Sequence, residues 1–379
     1  MSKLIYLDSF NVGSDHEVFN SSSLLMFSHI YSKVDYYSCK SSRDATFSLI
    51  KEIPSNINYI KIPVLSSNSL FESFLHHFIT AIINILFVIK ARNSTLIINV
   101  NNLWELPALN FLMGYMTRKV IVICHGELEY LVNGKRLNCF SEKSLHWLLD
   151  DSTTISRGLY FSVLGESILG NVRKVLPYSV ATHFISFNHT FISSVISPQS
   201  NYGEYPCIGV VGTAHPNKGL NEILSFGNKL KEVLPNCLFY TLGRVLCDTK
   251  ILKDNNVHYI EDSDIKFVER NILISKIKEM DIIVFLHDID SYKFTASGAL
   301  MDAIDCEKNI LSLHNDYFDC VNSLVMFGQM FYDIDDMIKC IENKGYLKIH
   351  KDFTVIKKKL SPLSESIRFK QTLINIGFL

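Results

Sequence analysis

The sequence has no excess of either charge. Lys and Arg number 37 against 38 Asp and Glu, a net charge of −1. No overall electrostatic pull toward nucleic acid follows from that balance. Paired cysteine spacings are also missing. The nine cysteines are scattered and odd in number, with no CxxC and no other metal-ligand spacing. That argues against a zinc module or a disulfide framework and fits a reducing cytoplasm. No Asp-x-Asp pair follows a strand pattern closely; Asp288-x-Asp290 is the nearest candidate, and no metal is expected. There is no repeat of solenoid length and no low-complexity tract. The opening MSKLIYLDSF enters a strand pattern at once and lacks the long apolar core of a signal peptide, so a cytoplasmic chain is expected.

What is present is length and a rhythm. At 379 residues the chain exceeds one ordinary core, and two domains are expected. Hydrophobic content of 47% with 20% charged residues fits a globular protein. Apolar strand patterns at Leu4–Leu7, Val34–Ser38, Ile57–Val64, Thr95–Val100 and Lys119–Cys124 alternate with helical ones at His16–Tyr31, Thr46–Glu52 and Trp104–Met116. Such βαβα alternation predicts a parallel sheet covered on both faces. The rhythm breaks at Ser194–Tyr205, a polar, turn-rich stretch expected to link two domains. A second α/β series follows from Cys207. The expected division is 1–195, 206–350 and a C-terminal helical segment 351–379.

Two segments stand apart. Leu70–Ile89 (LFESFLHHFITAIINILFVI) is almost continuously apolar, interrupted by Glu72, His76, His77 and Asn84. A buried helix is expected there, with a helix lying on a membrane surface as the alternative. The basic run Lys348–Lys359 reads as a solvated helix face, with acidic lipid headgroups as the alternative ligand.

The most informative stretch is Tyr292–Ile310, YKFTASGALMDAIDCEKNI. It follows the apolar run Asp281–Leu286 and precedes another at Ile310–Leu313, so it forms a βαβ unit whose helix opens at Ser297-Gly298. A helix N-terminus offers free N–H groups and a positive dipole end, which suits a phosphate. Asp302, inside that helix, can accept hydrogen bonds from ribose or sugar hydroxyls. Val210–Gly219, VVGTAHPNKG, ends a strand at Gly212 and opens a helix at Lys218-Gly219. A lysine there neutralises phosphate as a point charge, and glycine admits close backbone approach. Cys124-His125-Gly126-Glu127 follows the strand Val120–Cys124, which puts His125 at a carboxyl edge where it can meet a sugar hydroxyl or a developing charge. Gly13, in the loop after the first strand, is a weaker signal of the same kind. Architecture alone leaves sugar transferases, epimerases and some phosphorylases open.

Taken together, the motifs resemble the nucleotide-sugar glycosyltransferases of the GT-B fold. VVGTAHPNKG is similar to that group's G-R-x-x-x-x-K-G loop. SGALMDAIDCEKNI resembles the G-x-x-x-L-E-A-M-A-C-G-K-P-V segment of the large retaining group found in bacterial polysaccharide synthesis. CHGELE is similar to the His-Gly turn of its N-terminal domain, and LPYSV (Leu176–Val180) to the link before its second domain. The motifs occur in the family's order and span most of the chain. Two positions depart from the pattern. Thr213 replaces the family arginine, and Phe294 replaces the first of two acidic residues, leaving Asp302 as the second.

The resemblance implies two Rossmann-like doubly wound α/β domains facing across a cleft. It implies a nucleotide diphosphate sugar as donor substrate, with no separate cofactor and no nucleic-acid partner. The donor diphosphate would meet Ser297, Gly298, Ala299 and Lys218, and Asp302 would bond the ribose. Arg244 or Lys293 would replace the missing positive charge. Gly13 would face the sugar, and His125 with Glu127 would serve the reaction. A glycan or lipid-linked acceptor in bacterial surface polysaccharide synthesis is expected, in the cytoplasm with peripheral contact at the inner face of the cell membrane. The two departures keep a second reading open, an inactive transferase-like scaffold; a sugar-nucleotide epimerase is the third.

Overall fold

A computed structural model of the chain describes residues 2–65, 69–133, 139–193, 205–216, 219–264, 268–287 and 292–379. It divides into two compact units. The first comprises Met1–Ile192, Lys293–Ala296 and Leu360–Leu379; the second comprises Ser193–Tyr292 and Ser297–Lys359.

In chain order the first unit begins β1 (Lys3–Leu7), α1 (Glu17–Ile30), β2 (Lys33–Ser38), α2 (Lys40–Ser48), β3 (Ile57–Lys61), α3 (Leu70–Lys90) and β4 (Thr95–Ile98). It continues α4 (Leu106–Gly114), β5 (Lys119–Ile123), α5 (Tyr130–Asn133), α6 (Cys139–Leu149), β6 (Leu159–Val163), α7 (Glu166–Val175), α8 (Tyr178–Ala181) and β7 (Phe184–Ser186). The strands pair in parallel in the order β3-β2-β1-β4-β5-β6-β7. Central strands such as β4 (TLII) are buried at every position, which is why they read as apolar runs rather than alternations.

The second unit carries β8 (Cys207–Val211), α9 (Leu220–Val233), β9 (Leu238–Leu242), α10 (Thr249–Asp254), β10 (His258–Tyr259), α11 (Arg270–Glu279) and β11 (Ile282–Phe285). Then come α12 (Gly298–Asp305), β12 (Asn309–Leu313), α13 (Asp316–Leu324), β13 (Gly328–Phe331), α14 (Ile334–Glu342) and α15 (Phe353–Lys359). Its sheet is parallel, ordered β10-β9-β8-β11-β12-β13. The last helix, α16 (Pro362–Asn375), belongs to the first unit. There Phe369 packs on Phe27 of α1 and on Phe187, and Leu373 is fully buried. Each unit is thus a Rossmann-like domain with its own core.

Several expectations change on contact with the structure. The second helix lies at Lys40–Ser48, earlier than Thr46–Glu52, because Cys39 caps it through the Ser42 N–H and Ser42 anchors it by its hydroxyl rather than by an apolar stripe. The expected linker falls almost wholly on 194–204, outside the described residues. The basic run is solvated in part: Lys348, Lys358 and Lys359 are exposed, whereas Lys357, 14% exposed, sits 2.7 Å from Glu307 and donates to the Asp305 carbonyl; Lys359 also reaches the Leu324 carbonyl. Lys357 and Lys359 thereby bond the free carbonyls near the C-terminal ends of α12 and α13.

The apolar helix differs most. His76, Thr80 and Asn84 face inward, and Phe71, Phe74, Phe78, Ile82, Leu86 and Ile89 stand exposed along the opposite side. Thr80 donates to the Ser9 carbonyl, Ser9 to Asn84 at 2.6 Å, and Asn84 to Glu105 at 2.7 Å. A polar interior beneath the helix therefore selects its polar stripe and turns the apolar one outward.

Candidate functional site

In the first unit the strand order reverses between β1 and β4, so the loops after these strands diverge and open a crevice at their carboxyl ends. The loop after β1 is built on Asp8, which is fully buried. Its carboxylate accepts from Asn11 at 2.7 Å, Asn20 at 2.8 Å and Ser42 at 2.9 Å. Burial still raises its pKa, the hydrogen bonds only partly opposing it. The loop then needs left-handed backbone at Gly13 (φ 67°) and at His16 (φ 57°). A Cβ at Gly13 would meet open space, so the glycine serves backbone conformation rather than a close contact.

His125 follows β5. Its Nε2 lies 2.7 Å from the Asn99 carbonyl oxygen, which can only accept, so Nε2 carries the proton and Nδ1 the lone pair. The imidazole packs beside His16, with centroids 4.3 Å apart, and against the edge of Phe19 at 4.7 Å. His189, after β7, reaches Phe19 from another side at 5.4 Å. Burial and the His16 ring hold His125 well below the ordinary histidine pKa, and the same causes bring His189 to about 4. Two imidazoles, His125 and His189, therefore pack on Phe19, and His16 packs on His125. Sequence reasoning found only His125. His16, three residues past Gly13, and His189 carried no motif, and only the fold brings them together.

Glu127 turns back on its own loop. One carboxylate oxygen accepts the N–H groups of His125 at 3.1 Å and Gly126 at 3.0 Å, and burial raises its pKa. Its geometry is that of a cap holding the His-Gly turn. Within the same unit Glu129 accepts the Phe294 N–H at 2.9 Å, Phe294 is 1% exposed, and the Lys293 carbonyl accepts from Asn171 at 3.1 Å. Thr295 lies where a Cβ on Gly126 would stand 3.2 Å from its hydroxyl, so the turn is fitted to a glycine.

In the second unit the reversal lies between β8 and β11. β8 leads through Gly212 and Thr213 toward α9, and β9 leads through Gly243 to Arg244. A Cβ on Gly243 would stand 2.3 Å from the Gly212 carbonyl oxygen, so the two loops touch backbone to backbone. Ala214 N–H donates to the Arg244 carbonyl at 2.9 Å, extending the pairing beyond the strands. Arg244 is half-buried. Gly219 caps α9 in left-handed conformation (φ 77°), near His287 after β11. Lys218, and with it Asp288 and Asp290, lies outside the described residues.

α12 starts at the other side of this reversal. The Ser297 hydroxyl accepts the Leu300 N–H at 3.2 Å, and the Tyr317 hydroxyl is hydrogen-bonded to the Ser297 backbone. Gly298 is exposed with nothing near its missing Cβ, and Ala299 is half-buried. Asp302 is 8% exposed and paired with Arg270 at 2.8 Å. Burial raises its pKa although Arg270 pulls the other way. Ser297, Gly298, Ala299, Gly219 and Arg244 therefore all lie at the carboxyl end of the second sheet, whereas His125, Glu127 and Gly13 share that of the first. Among the described residues no group of three or more His, Cys, Asp or Glu could hold a metal ion.

No protein-family model matches the chain, and no curated protein sequence matches it. Solved structures do. HepE of Anabaena, in complex with UDP, is similar over 99% of this chain and 99% of its own at 11% identity, with a TM-score of 0.58. The lipopolysaccharide outer core galactosyltransferase WaaB matches over 99% of each chain at 10% identity and TM-score 0.58. Sucrose-phosphate synthase of Thermosynechococcus elongatus covers 99% of this chain and 96% of its own, at 10% identity and TM-score 0.61. At such identities the likeness is one of architecture, and that architecture is the GT-B fold, two Rossmann-like domains with parallel sheets of seven and six strands.

Proposed function

We propose that the protein is a glycosyltransferase that moves a sugar from a nucleotide diphosphate sugar to an acceptor hydroxyl. The observation that carries the reading is the pair of helix starts, α9 and α12, flanking the reversal of the second sheet where Gly212 and Gly243 bring bare backbone together. Such a place favours a diphosphate through N–H groups and helix dipoles. Arg244, and Lys218 by its place in the sequence, would add charge. In the reaction the bond from the anomeric carbon to the diphosphate oxygen breaks, a bond to the acceptor oxygen forms, and the acceptor's proton leaves with solvent or a base. Charge builds on the departing diphosphate, so helix dipoles and cations that meet it lower the barrier. In the first unit, neutral His125 would accept a hydrogen bond from a sugar hydroxyl at Nδ1.

The reading extends to a metal-independent transfer onto a glycan or lipid-linked acceptor of bacterial surface polysaccharide. The motif resemblance supports it, as do structural neighbours that include a lipopolysaccharide galactosyltransferase and HepE bound to UDP and glucose. One observation favours the inactive-scaffold reading: the residue at the first acidic position is Phe294, whose ring is buried, and its own side chain offers no carboxylate to a donor sugar.

Thermal shift against uridine, guanosine, adenosine and cytidine diphosphates tests the proposal. Stabilisation by one of them, and sugar release from its sugar conjugate that persists in a chelator, are expected. No shift with any of the four would overturn the transferase reading. Binding without turnover would favour the scaffold, and an epimerised free donor the epimerase.

A further inference from the structure

α3 is inside out for a helix on a soluble domain. From Ser73 to Ile89 it holds no Asp, Glu, Lys or Arg. Its exposed residues recur at helical spacing along one face, with Phe71 at 70%, Phe78 at 50% and Leu86 at 57% exposure. Phe111 and Tyr115, on and just after the neighbouring α4, are still more open than Phe78. The stripe alone presents on the order of 600 Å² of apolar surface, at the top of what a monomer leaves uncovered. Only 22% of its most apolar window is buried, although the buried polar face ties it to the first unit through Thr80, Asn84 and Glu105. A helix so anchored lies on a surface rather than crossing a bilayer.

A second feature adjoins its C-terminal end. A pocket of about 270 Å³ is lined by Lys3, Arg92, Arg118 and Lys119, with no acidic residue in its wall. Lys3 also pairs with Asp35 at 2.7 Å, but among the described residues no acid pairs with the other three. Arg118 reaches the Val88 carbonyl in the last turn of α3 at 3.3 Å, and Arg92 follows that helix by two residues, so the pocket adjoins the C-terminal end of α3. The opposite end of the helix offers a single acid, Glu72, against these cations. A second copy of the chain therefore brings little complementary charge, whereas anionic headgroups bring charge and acyl chains together.

We infer that α3 and the basic pocket form a docking surface for an acidic lipid bilayer, α3 lying in the interface with its apolar face among the acyl chains and the pocket holding lipid phosphates. On its inward side α3 meets the β1 loop of the first unit, where the Phe10 ring packs on His76 at 4.4 Å. This inference does not depend on the transferase reading, because the binding can be measured with no donor or acceptor present.

Vesicle co-sedimentation of the full chain is the test, with phosphatidylcholine alone and with about a third phosphatidylglycerol. The chain should pellet with the anionic vesicles. Phe78→Ser, at an exposed position, should weaken partition about tenfold. Arg92→Ser should weaken it about fivefold on anionic vesicles only. Circular dichroism confirms that both variants fold. A chain that stays in the supernatant with both vesicle types, or a Phe78→Ser variant that partitions like the wild type, overturns the inference. So does a chain that elutes as a dimer, binds no vesicles and becomes monomeric on Phe78→Ser.

Discussion

The Asn99 carbonyl oxygen and His125 Nε2 stand 2.7 Å apart, and that one contact decides which nitrogen of His125 is available. The ring is held with Nδ1 as an acceptor, and its low pKa keeps it neutral. If Nδ1 accepts from a sugar hydroxyl in the transition state, His125→Ala should lower kcat by about tenfold to a hundredfold and leave nucleotide affinity almost unchanged. The pH–rate profile of the wild type should show no step near the ordinary histidine pKa from this residue. Steady-state kinetics beside calorimetric nucleotide binding check both statements. An unchanged kcat removes His125 from the site.

His189 makes a separate claim on stability. It is 8% exposed and its pKa falls to about 4. A base whose folded pKa is depressed binds fewer protons folded than unfolded. Its stability contribution is complete above about pH 6.5 and is lost as pH falls toward 4. Near pH 5 the loss from this one residue is about 2 kcal/mol. His189→Gln should therefore flatten the fall in melting temperature between pH 7 and 5. Parallel curves for the two proteins would show that burial does not hold the imidazole neutral.

The doubly wound architecture was legible because parallel strands covered on both faces are written as apolar runs, and β4, β5 and β11 are such runs. β7 and β13 were not: β7 (FIS) has only three residues, and β13 (GQMF) opens on Gly328 and Gln329 and so is no apolar run. α3 misled because composition says apolar without saying which side faces in; that depends on Ser9 and Glu105, distant in sequence. The second sheet's helix starts were visible as small-residue turns. The histidine group was not, because its members come from loops after three different strands.

Gly298 and Gly243 separate a ligand's requirement from the fold's. A Cβ at Gly298 meets nothing, so Gly298→Ala should be neutral or stabilise α12 by up to about 1 kcal/mol. If a diphosphate approaches that backbone, the same methyl should weaken nucleotide binding about tenfold or more. Gly243→Ala drives a methyl to 2.3 Å from the Gly212 carbonyl oxygen and should destabilise the fold itself, by about 2 kcal/mol. Melting and nucleotide titration of both variants distinguish the cases. Full affinity in Gly298→Ala would take α12 out of the phosphate site.

Glu105 turns the polar interior under α3 into a measurable quantity. It is 1% exposed, one oxygen accepts from Asn84, and the other is buried without a partner among the described residues. Burial pushes its pKa well above the usual carboxylate range, with the Asn84 bond opposing only in part. For an acid raised on folding, the stability is complete below the unfolded pKa, near 4.3, and is lost as pH rises through the folded value. Glu105→Gln keeps the oxygen that Asn84 needs and removes the ionisation. The variant should match the wild type near pH 4.5 and become progressively more stable relative to it toward pH 8. The difference between the two melting curves isolates this carboxyl, because His189 acts equally in both proteins and in the opposite pH direction. A constant difference across the range would mean that Glu105 is charged in the fold, and that α3 rests on an ion rather than on a neutral hydrogen-bonded floor.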